Sequence, residues 1–541
     1  MCASSRGLSK GVTVAVTVRA RCGDQLQTVQ ATPDATLRQV LEATDLRVRT
    51  GCNGNGSCGL CRVQIVSGKV SSPTSEEMLT LGLPLVQAGL RLACQVVPLG
   101  DVDLEVVNPA PHSAWHPISP EALCSPARPA VVPTTGSGRI SRIAIDVGTT
   151  NLCLTLWDGE ERGRLAARRG LNPQSSLGSD VVTRLQAARD PAVARDLAHA
   201  VELAVAEKLH DLVVSDGFVV AAHPTIVAVG NTAMLSLLQG SNGGLLDPEA
   251  WAGPATWLSG RPLRWHLGAG CEAAVHLVQP LGGFVGSDLL AAALAANLVK
   301  GESPALLLDF GTNTEMALWD GTILWVTSAA GGPAFEGSGI GCAVPAEPGA
   351  IFRVRAGTPL CFEVMGGGEP KGVCGSGLVD WVACLRQAGT LSSRGNLVDG
   401  AVQGALSLGG KGSEIFLHKR DVDVFQRAKA AISAGVHLLG QRAGVACQDL
   451  RRIVTTGLFG RALDVANAQA IGLLPPIAPT RVETYDNLAL AGCEIVLTST
   501  DGARAIETLR ASARLLNLGQ CAEFEELFVQ GLFLAPMEGP P

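Results

Sequence analysis

One pattern in the chain occurs twice. Ile143-Ala-Ile-Asp146-Val-Gly148-Thr149-Thr150-Asn151 runs on to Leu154-Thr-Leu-Trp157-Asp-Gly159. Much later, Leu306-Leu-Leu-Asp309-Phe-Gly311-Thr312-Asn313-Thr314 runs on to Met316-Ala-Leu-Trp319-Asp-Gly321. Each copy is an apolar strand ending in aspartate, a tight Gly-Thr turn, and a second strand closing on Trp-Asp-Gly. A duplication at this distance predicts two similar subdomains facing each other. The turn also predicts a ligand, because a glycine followed by hydroxyl and amide groups offers a nest of N–H donors to phosphate. The aspartate beside it can hold Mg²⁺, usually through water. A single Gly-Thr turn carries little weight, since such turns join many strand pairs, but two copies in one chain point to phosphate.

A second constraint lies ahead of the repeat, in Cys52-Asn-Gly-Asn-Gly-Ser-Cys58-Gly-Leu-Cys61 with Cys94 further on. Three cysteines spaced C-x5-C-x2-C, joined by an outlying fourth, predict a loop that wraps a metal centre. Gly51, Gly54, Gly56 and Gly59 let the backbone fold around inorganic sulfide, where a Cβ would obstruct it. The spacing is one residue longer than the plant-type iron–sulfur signature C-x4-C-x2-C…C. A four-cysteine zinc site is the competing reading, although zinc ribbons usually pair two C-x2-C knuckles. Cys374 sits in a glycine turn with no second cysteine close by, so it reads as structural. Most of the other cysteines among the sixteen lie singly in apolar strings and read as small buried hydrophobes. An oxygen-sensitive centre beside unpaired thiols points to a reducing cytoplasm.

At 541 residues, with 47% hydrophobic and 17% charged, the chain is long enough for two or more globular domains. A net charge of −7 without a basic stripe argues against a nucleic-acid surface. The N-terminal Met-Cys-Ala-Ser-Ser-Arg lacks the apolar core of a signal peptide. No apolar run is long enough to span a membrane. Residues 11–107 read as the cysteine-loop domain, with strands at Val14–Val18 and Gln25–Ala31, a helix over 36–43, and a helix start at Thr74-Ser-Glu-Glu77. The prolines and glycines of 108–138 predict a linker on which that domain can swing, with a packed arm as the alternative. Residues 139–541 read as a large α/β body holding the duplicated turns.

The cysteine loop resembles the adrenodoxin-like branch of [2Fe-2S] ferredoxins, which implies a β-grasp fold with Cys52, Cys58, Cys61 and Cys94 as cluster ligands. The duplicated turns resemble the two phosphate loops of the acetate and sugar kinase, heat-shock-70 and actin superfamily. In that superfamily a strand–glycine turn like Ile453-Val-Thr-Thr-Gly457-Leu-Phe459-Gly460 grips adenosine. The fold class expected is therefore α/β: an N-terminal β-grasp ferredoxin followed by a duplicated actin-like ATPase fold. Together with Asn172-Pro173-Gln174, Gly230-Asn231-Thr232, the string from Gly331 to Gly337, Cys374-Gly375-Ser376-Gly377 and Ala428-Lys429-Ala430, the chain resembles the reductive activators of corrinoid proteins. That resemblance implies an ATP-dependent electron donor, acting as a homodimer and supplied by an upstream electron donor. It would return a corrinoid protein's cofactor from cob(II) to cob(I) for methyl transfer. It also implies roles. Asp146 and Asp309 would hold Mg²⁺ and orient water, and Gly148, Thr149, Thr150, Gly311, Thr312 and Asn313 would hold ATP phosphates. Gly457 and Gly460 would leave room for adenosine.

Two departures from the family pattern stand out. A small middle domain is expected between ferredoxin and ATPase, and only the proline-rich segment stands there. The adenosine turn usually reads Ala-Gly-Gly-Phe-Gly, and here Leu458 replaces a glycine. The partner signature Asp-x-His-x-x-Gly is absent around all nine histidines, so the corrinoid is carried by another protein. Glu315, just after the second turn, is the candidate water-positioning base, with a solvated strand residue as its alternative. Lys371 and Lys429 read as surface charges, with phosphate ligands as the alternative, and Pro333–Gly337 as a packing turn or part of a partner-facing cleft.

The combination of parts has a thermodynamic reason. Plant-type clusters sit near about −400 mV, and the adrenodoxin-like branch is expected to be less reducing. A gap of about 200 mV to the corrinoid would cost about 4.6 kcal/mol per electron, since about 59 mV is tenfold. A nucleotide clamp can drive the step by favouring a conformation in which the cobalt is easier to reduce. Two other classes fit the same motifs: a ferredoxin-type carrier with a nucleotide-sensing module, and a small-molecule kinase with an accessory cluster.

Overall fold

The computed structural model describes residues 16–537 except 24, 32–33, 43, 45, 50–53, 55, 110–114, 129–137, 160–162, 179, 248–260, 269, 337–338, 358–359, 399–404 and 409–414. The chain divides into two compact units, Met1–His112 and Ser113–Pro541.

In the first unit, alternating valines and alanines make the hairpin Val16–Cys22 and Gln25–Ala31, which puts Val18 and Ala20 in the core. The five-stranded sheet has the order Gln25–Ala31, Val16–Cys22, Pro98–Val106, Arg62–Val70, Leu90–Leu92. Its central pair, Val16–Cys22 and Pro98–Val106, runs parallel. The helix Leu37–Glu42 buries Leu37, Val40 and Leu41 in the same core as the sheet. This is the β-grasp arrangement that the cysteine spacing and its resemblance imply. The helix expected at Thr74 is Ser75–Leu81, and it begins on a complete capping box between Thr74 and Glu77.

The second unit carries the repeat in its topology. Its seven-stranded sheet runs in the order Leu263–His266, Glu272–Leu277, Val219–Gly230, Arg139–Val147, Asn151–Asp158, Arg164–Leu171, His116–Pro117. Its six-stranded sheet runs Val482–Thr484, Arg452–Thr456, Ala305–Phe310, Thr314–Trp319, Leu324–Ala329, Ala513–Leu515. In each sheet the aspartate-bearing strand has a parallel neighbour on one side and an antiparallel hairpin on the other. The register differs in one telling place. Asp146 lies opposite Cys153, whereas Asp309 lies opposite Glu315.

Two helices, Ser287–Ala295 and Leu488–Thr498, pack together in a core shared by residues of both sheets. At their crossing Gly492 rests on the backbone of Ala291, and a Cβ at 492 would overlap the Ala291 carbonyl. Ahead of the helix Ser287–Ala295, Gly282 and Val285 close a tight turn.

The proline-rich segment departs from the expected free linker. Residues 115–128 belong to the second unit and are fastened to its edge strand and core. His116 and Pro117 pair with Arg169 and Arg168, the Ile118 amide donates to Ala167, and Leu123 is buried. The Arg128 guanidinium lies 4.5 Å over the Trp157 ring and donates to Thr498 at 2.8 Å. Prolines keep such a segment extended, and an extended segment can add a strand to a sheet edge. The packed arm is therefore the better description of these residues.

Candidate functional site

The cysteine loop closes on itself through glycine. Gly54, Gly56 and Gly59 all have positive φ, at 89°, 83° and 68°. The Cβ position of Gly54 lies 3.8 Å from the Cβ of Cys94, so the loop passes directly over the sequence-distant fourth cysteine. Cys58, Cys61 and Cys94 are all buried, and the Ala93 amide donates to the Cys61 carbonyl at 2.8 Å. Cys52 lies outside the described residues. The following helix braces the loop, with the Thr80 hydroxyl donating to Gly56 at 2.8 Å. A buried ion pair locates the strand before Cys94: Arg91 donates to Glu77 at 2.9 and 2.7 Å, and Glu77 also accepts the Leu92 amide. Buried thiols beside a left-handed glycine loop suit a cluster held by cysteine thiolates.

In the second unit the duplicated turns meet. The Thr150 and Thr312 hydroxyls are 3.0 Å apart, at the centre of a cleft lined by Asp146, Gly148, Thr149, Thr150, Gly311, Thr312, Asn313, Asp309 and Glu315. All the phosphate-turn residues named from the sequence are thus brought together. Gly457 and Leu458 also line this cleft. Gly460 is not among the described lining residues; its Cβ position is 3.0 Å from the Phe310 ring, so its missing side chain makes room for Phe310. Gly457, with φ of 89°, faces the Phe310 carbonyl in the same way while lining the cleft.

Carboxyl groups dominate the electrostatics. Glu315 is buried, which overturns its solvated alternative. Burial, then the charges of Asp288, Asp309 and Asp146, hold its pKa well above the usual range. Asp288 is raised in the same way by burial and by Asp146 and Asp309. Asp146 is pushed up to about 6 by burial, moderated by a 3.0 Å hydrogen bond from Asn487 and by the charge of Arg169. Asp309 has no comparable donor among the described residues and is pushed up to about 7 by burial and by Asp146. Arg169 is the only arginine or lysine among the described lining residues.

A divalent cation would relieve this mutual repulsion. Among the described residues no three such groups converge as direct ligands of one ion.

Sequence reading missed several members of the site. Asp288 is one of them; its position in the first turn of a buried helix was the available signal. Asn487 caps the helix Leu488–Thr498 and reaches Asp146, a contact across the chain that no local pattern announces. Glu336, weighed as part of a packing turn or of a partner-facing cleft, lines the cleft of the two turns and accepts from Thr312 at 3.3 Å. Lys429 is neither a surface charge nor a phosphate ligand. It is buried, and its Nζ donates to the carbonyls of Ile471 and Phe533 at 3.1 and 2.7 Å. Cys374 is buried at the start of the helix Gly375–Gln387, in keeping with a structural role.

The two units together define a class: a [2Fe-2S] ferredoxin domain joined to an actin-like kinase-fold body. Residues 21–99 match the model of a 2Fe-2S iron-sulfur cluster binding domain, which favours the cluster over zinc. Residues 142–301 match the "RACo middle region" and residues 303–539 the "C-terminal domain of RACo the ASKHA domain". The corrinoid activation enzyme RamQ of Eubacterium limosum is 30% identical over 413 residues, covering 72% of this chain and 69% of that one. The [Co(II) methylated amine-specific corrinoid protein] reductase of Methanosarcina barkeri is 30% identical over 230 residues, covering 38% and 41%. The chain belongs to the family of corrinoid reductive activators. A solved structure titled reductive activator for corrinoid, iron-sulfur protein shares the fold, with a TM-score of 0.62 at 23% identity over 96% of this chain and 99% of that one. A middle region is therefore present as the first lobe of the body, where only the proline-rich segment was expected to stand in for it.

Proposed function

We propose that this protein binds and hydrolyses ATP in the cleft of its second unit and uses that cycle to drive one-electron reduction of a corrinoid protein from cob(II) to cob(I). The observation that carries the reading is the meeting of the two duplicated turns, Thr150 against Thr312 at 3.0 Å, in a chain that also carries a ferredoxin domain. Cys52, Cys58, Cys61 and Cys94 would hold the [2Fe-2S] cluster, which supplies single electrons when bound. Asp146 and Asp309 would hold Mg²⁺ against the nucleotide.

This chain's own groups account for the rest. The amides and hydroxyls at Gly148, Thr149, Thr150, Gly311, Thr312 and Asn313 grip phosphate oxygens from both lobes, so bound nucleotide draws the lobes together. Glu315 and Asp288 stand behind the metal-binding aspartates, and Glu315 is placed to orient the attacking water. ATP shifts the protein between conformations by its differential affinity for them, and that difference is the free energy available to the reduction. The partner is a separate corrinoid protein, and an upstream donor refills the cluster. A homodimer is the working assembly by likeness to the family.

The decisive variant is Asp309→Asn, which keeps the side chain's size and removes its charge. With a reductant, a corrinoid partner and ATP under anaerobic conditions, the wild type should accumulate cob(I), whereas the variant should fall at least about a hundredfold in rate. Cluster reduction by dithionite should be unchanged. Equal cob(I) formation by both proteins, with and without nucleotide, would leave the electron-carrier reading in place. Phosphorylation of a small molecule in place of cob(I) formation would favour the kinase reading.

A further inference from the structure

Behind the first phosphate turn lies a charge that the cleft does not use directly. Arg184, on the helix Val181–Ala187, is 0% exposed. Its Nε donates to the Gly178 carbonyl at 2.6 Å and its Nη1 approaches the Met234 sulfur at 3.4 Å. Among the described residues it makes no ion pair, and Nη2 has no hydrogen-bond partner. The carboxylate whose charge acts on it, Asp180, is committed to the helix cap, accepting from the Thr183 amide at 2.9 Å and from its hydroxyl at 2.7 Å. A guanidinium taken out of water is costly when its only counter-charge, Asp180, is engaged elsewhere in a helix cap and makes no ion pair with it.

Its surroundings lead to the phosphate turn. The Met234 sulfur also meets the Asn172 amide at 3.7 Å, and that amide donates to the Gly148 carbonyl at 2.9 Å. The Asn172 backbone amide donates to Thr150, also at 2.9 Å. From the other side Asn231 donates to the Thr149 hydroxyl at 3.0 Å and accepts the Met234 amide at 2.9 Å. Every residue of the turn is therefore held from behind by a polar side chain or a backbone bond, and Arg184 touches that layer through Met234.

We infer that Arg184 is a positioning residue for nucleotide, a buried cation whose counter-charge arrives as the phosphates that the first turn receives. The inference rests on the nucleotide reading proposed above. A charge in a low-dielectric interior acts over a longer range than one in water, so it can favour an anion it does not touch. Unlike a surface lysine, it is not screened by salt when the cleft is empty.

The test is a binding comparison on the full-length protein with ATP, ADP and adenosine, using wild type, Arg184→Met and Arg184→Lys. Arg184→Met should weaken ATP and ADP about tenfold or more and leave adenosine unchanged. Its nucleotide-free melting temperature should be equal or higher, because a buried charge that no ion pair holds has gone. Arg184→Lys should recover most of the ATP affinity, since it restores charge without the fork. Equal losses for ATP and adenosine, or a Met variant that melts lower or does not fold, would make the residue merely structural and overturn the inference. So would unchanged ATP binding by Arg184→Met. A wild type that binds no ATP sinks the nucleotide reading and this inference together, and that result is visible before any variant is made.

Discussion

The two phosphate turns share a motif and almost nothing of what lies behind it. The first is buttressed by polar groups: Asn172, Asn231 and the buried Arg184 behind Met234. The second is buttressed by close contact and aromatic rings. Gly332 leaves no room for a Cβ against the carbonyls of Gly311 and Thr312. Phe310 meets Phe459 edge-on at 5.2 Å, Phe459 stacks on Phe335 at 4.7 Å, and Phe335 meets Phe425 at 5.5 Å. The aspartates differ accordingly: Asp146 has a donor in Asn487, and Asp309 faces Glu315 across the ladder. Duplication has kept the aspartate and the Gly-Thr turn in both lobes and left each lobe its own means of holding them. Polar buttresses are selective in direction, whereas packed rings and bare backbone are selective in shape.

The comparison can be broken most severely at the shape-selective turn. Gly332→Ala puts a methyl group into two carbonyl oxygens with no flexible side chain to yield. We expect a loss of about 3 kcal/mol in stability and loss of measurable ATP turnover, checked by denaturant unfolding and phosphate release. Wild-type stability and turnover would show that the second turn tolerates displacement. At the polar turn, Asn172→Ala removes the donor to Gly148 and leaves a carbonyl without it. This should cost about 1–3 kcal/mol and weaken ATP several-fold while cluster spectra stay unchanged.

Each lobe also hides a cation, and the second behaves differently from Arg184. Lys429 is satisfied by two carbonyls, and burial lowers its pKa to about 7 from 10.5. The unfolded chain therefore binds more protons between those values, so the stability contribution of this group rises with pH through that window and is flat below it. Thermal unfolding of the wild type should gain on Lys429→Met as pH is raised from 7 towards 10. A constant difference across that range would place the ammonium in contact with water. The smallest effect is expected at Leu458, which lines the cleft and is 46% exposed. Leu458→Gly should change ATP affinity by only a few-fold at unaltered Kd for inorganic phosphate; identical ATP affinities would mean the side chain points away from the nucleotide.

Local pattern carried a large part of this molecule. Strand, aspartate, Gly-Thr turn and strand form one contiguous string, so both phosphate turns and their sheet context could be read without tertiary knowledge. The cysteine loop was legible for the same reason. Support from distant segments was not. Asn487 reaches Asp146, and Met234 links Arg184 to Asn172, only because the fold brings separate elements together. Lys429 did leave a local trace: it shares a helical stripe with Phe425, Ile432 and Val436, all buried, where a surface lysine does not belong. The proline-rich arm misled because composition reports stiffness and says nothing about which sheet edge is open to it.

The crossing of the two central helices also has a mechanical consequence. Asp288 opens one helix and Asn487 caps the other, so both begin at the cleft. They touch backbone to backbone at Ala291 and Gly492, with no side chain between them to act as a cushion. Such a contact is a fulcrum. In the helix Leu488–Thr498 it divides a short arm of about 6 Å on the cleft side from a longer one of about 9 Å beyond. A tilt imposed at the phosphate end is therefore passed on at once and somewhat enlarged at the far end. The gearing ratio is set by where the chain placed one glycine.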